Sequence, residues 1–330
     1  MSAASSTLSV ERRRAMLRTA MGPAIVAALG DSQVIEVMVN PDGALRLDRL
    51  GEGRVDTGER LDPAQIERII RLVASHARSE VHGDRPIVSA ELPAYGDGAG
   101  ERFEGILPPV SLAPCFSIRK PASRVYTLLD YVADGIMAAE AARLVSLAVV
   151  DRRNILIVGG TSSGKTTLAN ALLAEVAHLG ERVILIEDTR ELQCAAPDTV
   201  ALRTRAGAVS MADLVRSTLR LRPDRIIVGE VRGPEALDML KAWNTGHPGG
   251  IATVHANSAL AALYRLEQLI QEAVVTVPRR LIADAIDFIV FIAGRGLGRR
   301  VETIARVVGL DPDGGYALRD ITPQPEPEGD

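Results

Sequence analysis

Hydrophobic and polar positions alternate over much of the first part of the chain. The alternation in "VIEVMVN" and "ALRLDRL", separated by "PDG", predicts a strand, a tight turn and a second strand. Apolar residues then recur at helical spacing over residues 63–80 behind Asp62, a helix N-cap. Short strands are also predicted at "PIVSAEL", "RFEGIL" and "CFSIRK". We therefore expect a smaller α+β domain over residues 1–132.

The pattern changes in the second half, where continuous apolar runs are separated by helical segments. These runs are "NILIVG", "RVILIE", "RIIVGE", "IATVHA" and "DFIVFIA". Such an arrangement predicts a mostly parallel sheet with helices on both faces, and thus an α/β domain over residues 133–315. Residues 316–330 end in the proline-rich and acidic "PQPEPEGD", and we expect them to form a disordered tail.

Composition narrows the class of protein. The chain has 330 residues, 47% hydrophobic and 24% charged, which is typical of a soluble protein of about two domains. The net charge of -4 does not favour direct nucleic-acid binding. The two cysteines match no metal-ligand spacing, which indicates a reducing compartment. With neither a signal-peptide pattern nor an apolar stretch near the ~20 residues of a membrane span, we expect a cytoplasmic protein that can dock on a membrane complex.

The segment "VGGTSSGKTT" matches the phosphate-loop pattern G-x-x-x-x-G-K-[ST] between a predicted strand and a predicted helix. Backbone N–H groups at a helix N-terminus attract phosphate, Lys165 is expected to reach the β- and γ-phosphates, and Thr166 the Mg²⁺. The alternative is a glycine-rich turn that only caps a helix. The predicted ATP-binding residues are Gly159, Gly160, Thr161, Ser162, Ser163, Gly164, Lys165, Thr166 and Thr167.

Acids follow two of the apolar runs, in "VILIEDTREL" and "RIIVGEVRG". Because the carboxyl ends of parallel strands line the ligand crevice, Glu187, Asp188 and Glu230 are expected to face the nucleotide. We expect Glu230 to orient the attacking water and Glu187 to serve the metal and water network. Glu187 and Asp188 would bind Mg²⁺ with Thr166, the acids directly or through water, and Asp188 and Glu191 are the weaker members of this network. The alternative is that these acids are solvated turn residues.

Histidines and arginines supply further candidates. His255 follows an apolar run, where an imidazole can sense the γ-phosphate or bind the acid that does, whereas His247 is as readily structural. Arginines that stabilise phosphate charge are common in such hydrolases. Four cluster between the two acidic runs: Arg203, Arg205, Arg220 and Arg222.

The ordered set "GGTSSGKTT", "IEDTREL", "LRLRPDRIIVGEVRG" and "TGHPGGIATVHANS" resembles the type II/type IV secretion ATPases. In that family these elements are the Walker A motif, Asp box, Walker B motif and His box. The "EDTREL" form is similar to the conjugative and type IV branch, in particular the TrbB-like conjugal transfer ATPases. The resemblance implies a homohexamer in which a PAS-like N-terminal domain moves against a RecA-like P-loop domain, with ATP bound between them.

The resemblance also implies roles for residues outside the phosphate loop. Arg119 in "SIRKP" would contact the nucleotide, and Arg102 in "ERFEG" would act as an arginine finger. Arg203 and the catalytic candidate Arg205 would lie near the phosphates or a subunit boundary. Ser162 stands where the family commonly has glycine, which predicts a less permissive backbone at that position. The implied partners are inner-membrane components of a conjugative or type IV secretion complex, with peripheral association at the inner membrane.

The leading hypothesis is a hexameric ATPase that powers pilus assembly or substrate export in conjugative transfer or type IV secretion. A pilus retraction or type II secretion motor is an alternative within the same enzyme class. A DNA-binding translocase is an alternative from another class, but the aromatic content of 3% offers few base-stacking platforms. A small-molecule kinase does not explain the two later motifs or the first domain.

Overall fold

The computed structural model describes residues 3–93, 100–122, 124–205 and 207–323. The chain divides into two units, Met1–Ser123 and Arg124–Asp330. The boundary therefore lies before the one predicted after residue 132. The physical reason is that Leu128 and Tyr131 are buried in the apolar core of the second unit, so their segment belongs to that unit.

Helices packed against an antiparallel sheet form the first unit. The sheet has the strand order β3-β2-β1-β6-β5-β4. The strands and the helix expected from the alternating and helical patterns are confirmed, whereas β3 is not predicted. The elements are α1 (Ala3–Gly30), β1 (Val34–Val39), β2 (Ala44–Arg49), β3 (Gly53–Arg60), α2 (Pro63–Ala77), β4 (Ile87–Glu91), β5 (Arg102–Ile106) and β6 (Cys115–Arg119).

Local signals in the sequence set the limits and faces of these helices. Asp62 accepts a hydrogen bond from the backbone N–H of Ala64, and proline occupies the first turn of α2. Helix α2 buries apolar side chains such as Ile66 and Ile70 against the sheet. Helix α1 is kinked at Gly22, where φ is 77°. Apolar side chains of α1, α2 and the sheet together form the apolar core of this unit.

The second unit is built on a mixed sheet with the strand order β14-β13-β12-β7-β11-β10-β8-β9. Strands β12 through β9 in this order are parallel, and β13 and β14 are antiparallel additions at one edge. The elements are α3 (Leu128–Ala133), α4 (Ala139–Val150), β7 (Ile155–Gly159), α5 (Lys165–Val176), β8 (Val183–Glu187), β9 (Thr199–Arg203), α6 (Met211–Thr218), β10 (Arg225–Val228), α7 (Glu235–Asn244), β11 (Ile251–His255), α8 (Ala259–Gln271), α9 (Arg279–Ala285), β12 (Phe288–Ala293), a 3₁₀ turn (Gly296–Gly298), β13 (Arg300–Leu310) and β14 (Tyr316–Asp320).

Apolar cores lie on both faces of this sheet, as the continuous hydrophobic runs predict. Ile155 and Ile157 of β7 are buried with α3, α4 and α5, whereas the alternate residues Leu156 and Val158 are buried with α7, α8 and α9. Successive side chains of a strand point to opposite faces, so a strand covered on both sides has no polar position. This arrangement places the carboxyl ends of the parallel strands along one edge.

The tail prediction is wrong for residues 316–320, which form β14. Tyr316 is buried, and its ring contacts Tyr264 edge to face at 5.7 Å between centroids. The strand pairs with β13 through a turn in which Asp311 accepts hydrogen bonds from the backbone. Burial of this aromatic ring holds the segment on the sheet. Residues 324–330 of the predicted tail lie outside the described residues.

Candidate active site

The loop between β7 and α5 has a backbone that only particular residues can adopt. Gly164 has a φ of 97° and immediately precedes Lys165, the first residue of α5. A Cβ at Gly159 would lie 2.3 Å from the carbonyl oxygen of Ile292 and 2.5 Å from Ser163 Oγ. The glycines thus let the loop fold closely over the sheet. The loop leads into the N-terminus of α5, a position that favours an anion.

Ser162 is the loop residue with an unfavourable backbone conformation. Its φ of 62° lies in the left-handed region, which residues with a Cβ rarely adopt. The sequence predicts a less permissive backbone here, and this expectation is confirmed. Such a conformation costs about 1–3 kcal/mol and persists only where the surrounding structure imposes it.

Lys165 folds back over the loop and is only 7% exposed. Its Nζ donates to the carbonyl oxygen of Gly160 at 3.0 Å, and lies 3.2 and 3.3 Å from Nδ1 and Nε2 of His255. His255 reaches the loop because β11 is the parallel neighbour of β7, in a register that pairs His255 with Gly159. The strand order therefore brings two motifs together that are distant in sequence.

A chain of polar groups continues from His255 to Glu230. His255 Nε2 lies 2.7 Å from Glu230 Oε1, and Arg232 Nη2 donates to Glu230 Oε2. Burial and the neighbouring ammonium of Lys165 lower the pKa of His255, so the ring is neutral at neutral pH. Lys165 Nζ lies almost equally close to both ring nitrogens, and Glu230 Oε1 has no hydrogen-bond partner among the described residues, so His255 Nε2 and Glu230 Oε1 are in close contact without a hydrogen bond.

Glu230 is held as a carboxylate at the end of β10. Burial acts to raise the pKa of Glu230, but the hydrogen bond and charge of Arg232, with the charge of Lys165, hold it below its usual value. The side chain remains 20% exposed. An ionised and partly accessible carboxylate beside a phosphate loop can accept a hydrogen bond from water.

Glu187, by contrast, is 4% exposed and turns toward the loop that follows its own strand. Its Oε1 accepts from the backbone N–H groups of Glu191 at 2.9 Å and Leu192 at 2.7 Å. Burial raises the pKa of Glu187 to about 7, against the effect of these two hydrogen bonds. Asn170 of α5 fixes the same segment, donating to the carbonyl oxygen of Glu191 and accepting from the N–H of Gln193.

Glu191 is the acid that contacts Thr166, the predicted Mg²⁺ ligand. Thr166 Oγ1 donates to Glu191 Oε2 at 3.3 Å. Asp188 instead accepts from Thr204 Oγ1 at 2.8 Å. In the described parts of the chain, no group of three or more His, Cys, Asp or Glu residues could hold a metal by itself. The oxygen groups of Thr166 and Glu191 suit an ion that takes most of its ligands from phosphate and water, as Mg²⁺ does.

Arg203 and Arg205 lie at the far edge of the sheet. Arg203 ends β9 and is paired with Glu187 in the parallel register, and Arg205 forms a bridge with Val209 just beyond. Strands β11, β10 and β8 lie between β9 and β7. At about 4.8 Å per strand, this edge is roughly 19 Å from the phosphate loop. Both arginines are exposed there.

Three other candidates lie near the amino ends of strands. Arg220 and Arg222 precede β10, and His247 precedes β11. In a parallel sheet this edge is opposite to the carboxyl ends that carry the phosphate loop. His247 Nδ1 is 3.3 Å from the carbonyl oxygen of Ala242 at the end of α7. These positions favour the structural interpretation of His247 and remove Arg220 and Arg222 from the site.

In the first unit, Arg102 and Arg119 are directly opposite each other on the neighbouring strands β5 and β6. Residues paired in this way point to the same face of a sheet. Arg102 is half-buried and Arg119 is exposed. Two residues that are distant in sequence therefore place adjacent positive charges on one face, and their role at the nucleotide stays a prediction.

Two arginines beside the phosphate site are missing from the sequence prediction. Arg232 contacts Glu230 from two residues further along the chain, and its signal is the arginine within "GEVRG". Arg299 lies against Gly164 of the phosphate loop. Its segment "GRGLGRR" carries no recognised motif, so only the pairing of β12 with β7 reveals its position.

Comparisons with known proteins find similar sequences and a similar fold. The family model described as "Type II/IV secretion system protein" matches residues 65–295. Conjugal transfer protein TrbB of Rhizobium radiobacter is 49% identical over 295 residues, covering 89% of this chain and 90% of the relative. A probable conjugal transfer protein TrbB of Sinorhizobium fredii (strain NBRC 101917 / NGR234) is 50% identical over 293 residues, covering 88% of each. The crystal structure of the pilus retraction motor PilT with bound ADP shares the fold, with a TM-score of 0.59, 18% identity, and coverage of 92% of this chain and 83% of that one.

Proposed function

This chain belongs to the type II/IV secretion system protein family, and we propose that it is an ATPase that powers conjugal transfer or type IV secretion. The observation that carries the proposal is the contact of Lys165 with His255 and of His255 with Glu230. It joins a phosphate-binding lysine to an acid that can orient water. The relatives named as conjugal transfer proteins supply the biological setting.

Phosphate binding in this proposal changes the partners of Lys165. Its Nζ now contacts Gly160 and His255, and phosphate oxygens would replace these neutral acceptors. His255 would then lose the lysine from both ring nitrogens while its Nε2 stays beside Glu230 Oε1. His255 would thereby report the presence of phosphate at Lys165 to the acid that handles water.

Glu230 is the proposed residue that positions the attacking water. Arg232 donates a hydrogen bond to one oxygen of its carboxylate, and His255 lies 2.7 Å from the other, which restricts the orientation of the carboxylate. A preoriented acceptor beside the γ-phosphate lowers the barrier because the water needs no further ordering. Arg232 also keeps Glu230 ionised, so the acid is ready at neutral pH.

Mg²⁺ is the cofactor that the oxygen donors beside the loop fit. Thr166 would hold the ion directly and Glu191 would hold its water ligands, since these two side chains already meet. Bound with ATP, the ion would neutralise charge on the β- and γ-phosphates. Asp188 would act through water, and Glu187 through its hold on the loop that carries Glu191.

The proposed assembly is a homohexamer with ATP bound between a PAS-like first domain and a RecA-like P-loop domain, as the family resemblance implies. Arg119 would contact the nucleotide and Arg102 would serve as the arginine finger. Arg203 and Arg205 lie at the end of β9, the outermost strand of the sheet, with β8, β10 and β11 between it and β7 of the phosphate loop. They are therefore better placed to act on a neighbouring subunit's nucleotide than on their own chain's.

The proposed location is the cytoplasmic face of the inner membrane, as a peripheral protein bound to membrane components of the secretion complex. The setting comes from the conjugal transfer relatives. Every helix in the described ranges is too short or too polar to span a bilayer.

The test compares Lys165→Ala with Lys241→Ala, which alters an exposed lysine on α7. We expect Lys165→Ala to lower ATP turnover by at least about 100-fold, because the variant lacks the ammonium group that would stabilise negative charge on the transferred phosphate. Conjugation frequency in a strain that lacks the chromosomal or plasmid copy should fall in parallel, with no change for Lys241→Ala. Wild-type turnover in Lys165→Ala would contradict the assignment. DNA-stimulated turnover with tight DNA binding would favour the translocase instead.

A further inference from the structure

The turn between β12 and β13 folds tightly over the phosphate loop. Gly294 has a φ of 77°, and a Cβ at this position would lie 2.0 Å from the carbonyl oxygen of Gly298. The N–H of Gly298 donates to the carbonyl oxygen of Arg295 at 3.0 Å. After the turn, the N–H of Val301 donates to the carbonyl oxygen of Ile136 at 2.8 Å. These contacts fix the path of the backbone on both sides of Arg299.

Arg299 extends from this turn onto Gly164, the glycine before Lys165. The position of a Cβ on Gly164 is 2.8 Å from Arg299 Nε and 2.9 Å from Cζ, so only glycine leaves room for the guanidinium. Arg299 Nε is buried and has no hydrogen-bond partner among the described residues. A buried donor without a partner costs free energy, and an anion in the loop would supply the missing acceptor.

The strand order separates Arg299 from the residues that we propose to act on water. Strand β12 pairs with β7 on one side, and β11, with β10 beyond it, lies on the other. Glu230 and His255 therefore flank the loop on one side, where the proposed function brings water to the γ-phosphate. Arg299 flanks it on the opposite side, where the phosphates that are not transferred would lie.

We propose that Arg299 binds the α- and β-phosphates of the nucleotide held in its own chain's loop. The inference rests on the proposed ATPase function and adds a second cationic contact to Lys165. Arg299 would act on ATP and ADP alike, because the phosphates that it touches are common to both. It would contribute to nucleotide affinity rather than to activation of water.

The experiment measures ADP and ATP affinity by titration calorimetry for the full chain and for Arg299→Gln, Arg299→Lys and Arg300→Gln. Arg300 is the control because it is the next residue, exposed, and paired with Glu302. We expect Arg299→Gln to weaken ADP and ATP binding by a similar factor of about tenfold or more. The KM for ATP should rise with it, with a smaller change in kcat. Arg299→Lys should recover part of the affinity, and Arg300→Gln should bind as the wild type does.

Several outcomes would overturn the inference without touching the proposed function. ADP affinity within about twofold of the wild type in Arg299→Gln is one. Weaker binding of ATP alone is another, since it would place Arg299 at the γ-phosphate. If Arg299→Gln does not fold, full ADP affinity in Arg299→Lys, which lacks Nε and the planar fork, contradicts the proposal. Failure of the wild type to bind either nucleotide would instead overturn the ATPase function itself.

Discussion

Glu187 and Glu230 follow the same sequence pattern but have opposite environments. Each comes at or just after the end of a buried parallel strand, β8 or β10, and the sequence predicts that both face the nucleotide. The side chain of Glu230 is 20% exposed. Burial acts to raise its pKa, but Arg232 lowers the pKa below its usual value. Glu187 is 4% exposed, and burial raises its pKa to about 7.

The difference teaches that the acid's partners decide its role. Glu230 has cationic and imidazole partners that favour the charged form and leave it near solvent. Glu187 uses one carboxyl oxygen to bind the N–H groups of Glu191 and Leu192. When two acids have pKa values displaced in opposite directions, their chemical roles also separate. We infer that Glu230 serves the reaction and Glu187 holds the loop that carries Glu191.

The largest expected change in stability comes from replacing Glu187 by a residue that has no acceptor oxygen. Glu187→Leu leaves the N–H groups of Glu191 and Leu192 without their acceptor, so we expect the free energy of unfolding to fall by about 2–4 kcal/mol. Glu230→Leu removes a partly exposed acid and should change it by less than about 1 kcal/mol. Urea unfolding of both variants is the measurement, and equal losses would remove the distinction between the two acids.

A pH dependence sharpens the comparison. Because the folded-state pKa of Glu187 is raised from 4.5 to about 7, protonation favours the fold. The stabilisation that Glu187 contributes is complete below pH 4.5 and is lost as the pH rises through about 7. The free energy of unfolding then changes by about 3 kcal/mol. Glu187→Gln keeps the acceptor oxygen and does not titrate.

The test follows unfolding of the wild type and Glu187→Gln at pH 5 and pH 8. The wild type should lose stability relative to the variant at the higher pH. Glu140→Gln, at an exposed acid on α4, should show no such relative change. A difference between wild type and Glu187→Gln that is the same at both pH values would contradict the raised pKa.

A smaller effect is expected at the acid that Glu187 positions. Glu191→Gln removes the negative charge beside Thr166, so we expect the Mg²⁺ concentration for half-maximal ATP turnover to rise by about three- to tenfold. Turnover at saturating Mg²⁺ should change less. A Mg²⁺ titration of the activity measures both values, with Glu140→Gln as the matched control. If the Mg²⁺ requirement is unchanged, the contact of Glu191 with Thr166 is purely structural, and the proposed role of Glu191 in Mg²⁺ binding is wrong.

Much of the second unit could be predicted because buried parallel strands appear as continuous apolar runs. Strands β7, β8, β10, β11 and β12 were all recognisable in this way, and so was the phosphate loop. Strand β3 could not be predicted because all its residues are exposed, and β9 because its burial is only partial. Such edge strands form through backbone pairing, which leaves little hydrophobic signal.

The site was less predictable than the fold, because its contacts depend on strand order and on backbone groups. The sequence identifies Lys165, His255 and Glu230 as candidates, and the order β7-β11-β10 brings them together. It does not reveal that Glu187 turns to the N–H groups of its own loop. Arg299 also escaped prediction, because only the β12–β13 turn places it on Gly164.

The most direct test of the account is single-turnover ATP hydrolysis by Glu230→Gln and Glu187→Gln under saturating Mg²⁺ and at the same pH. Both substitutions preserve size and one acceptor oxygen, so the comparison isolates the carboxylate charge. We predict that Glu230→Gln lowers the hydrolysis rate by about 100-fold or more while still binding ATP, and that Glu187→Gln stays within about tenfold of the wild type. An equal loss in both variants, or near-normal hydrolysis by Glu230→Gln, would contradict the division of roles between the two acids.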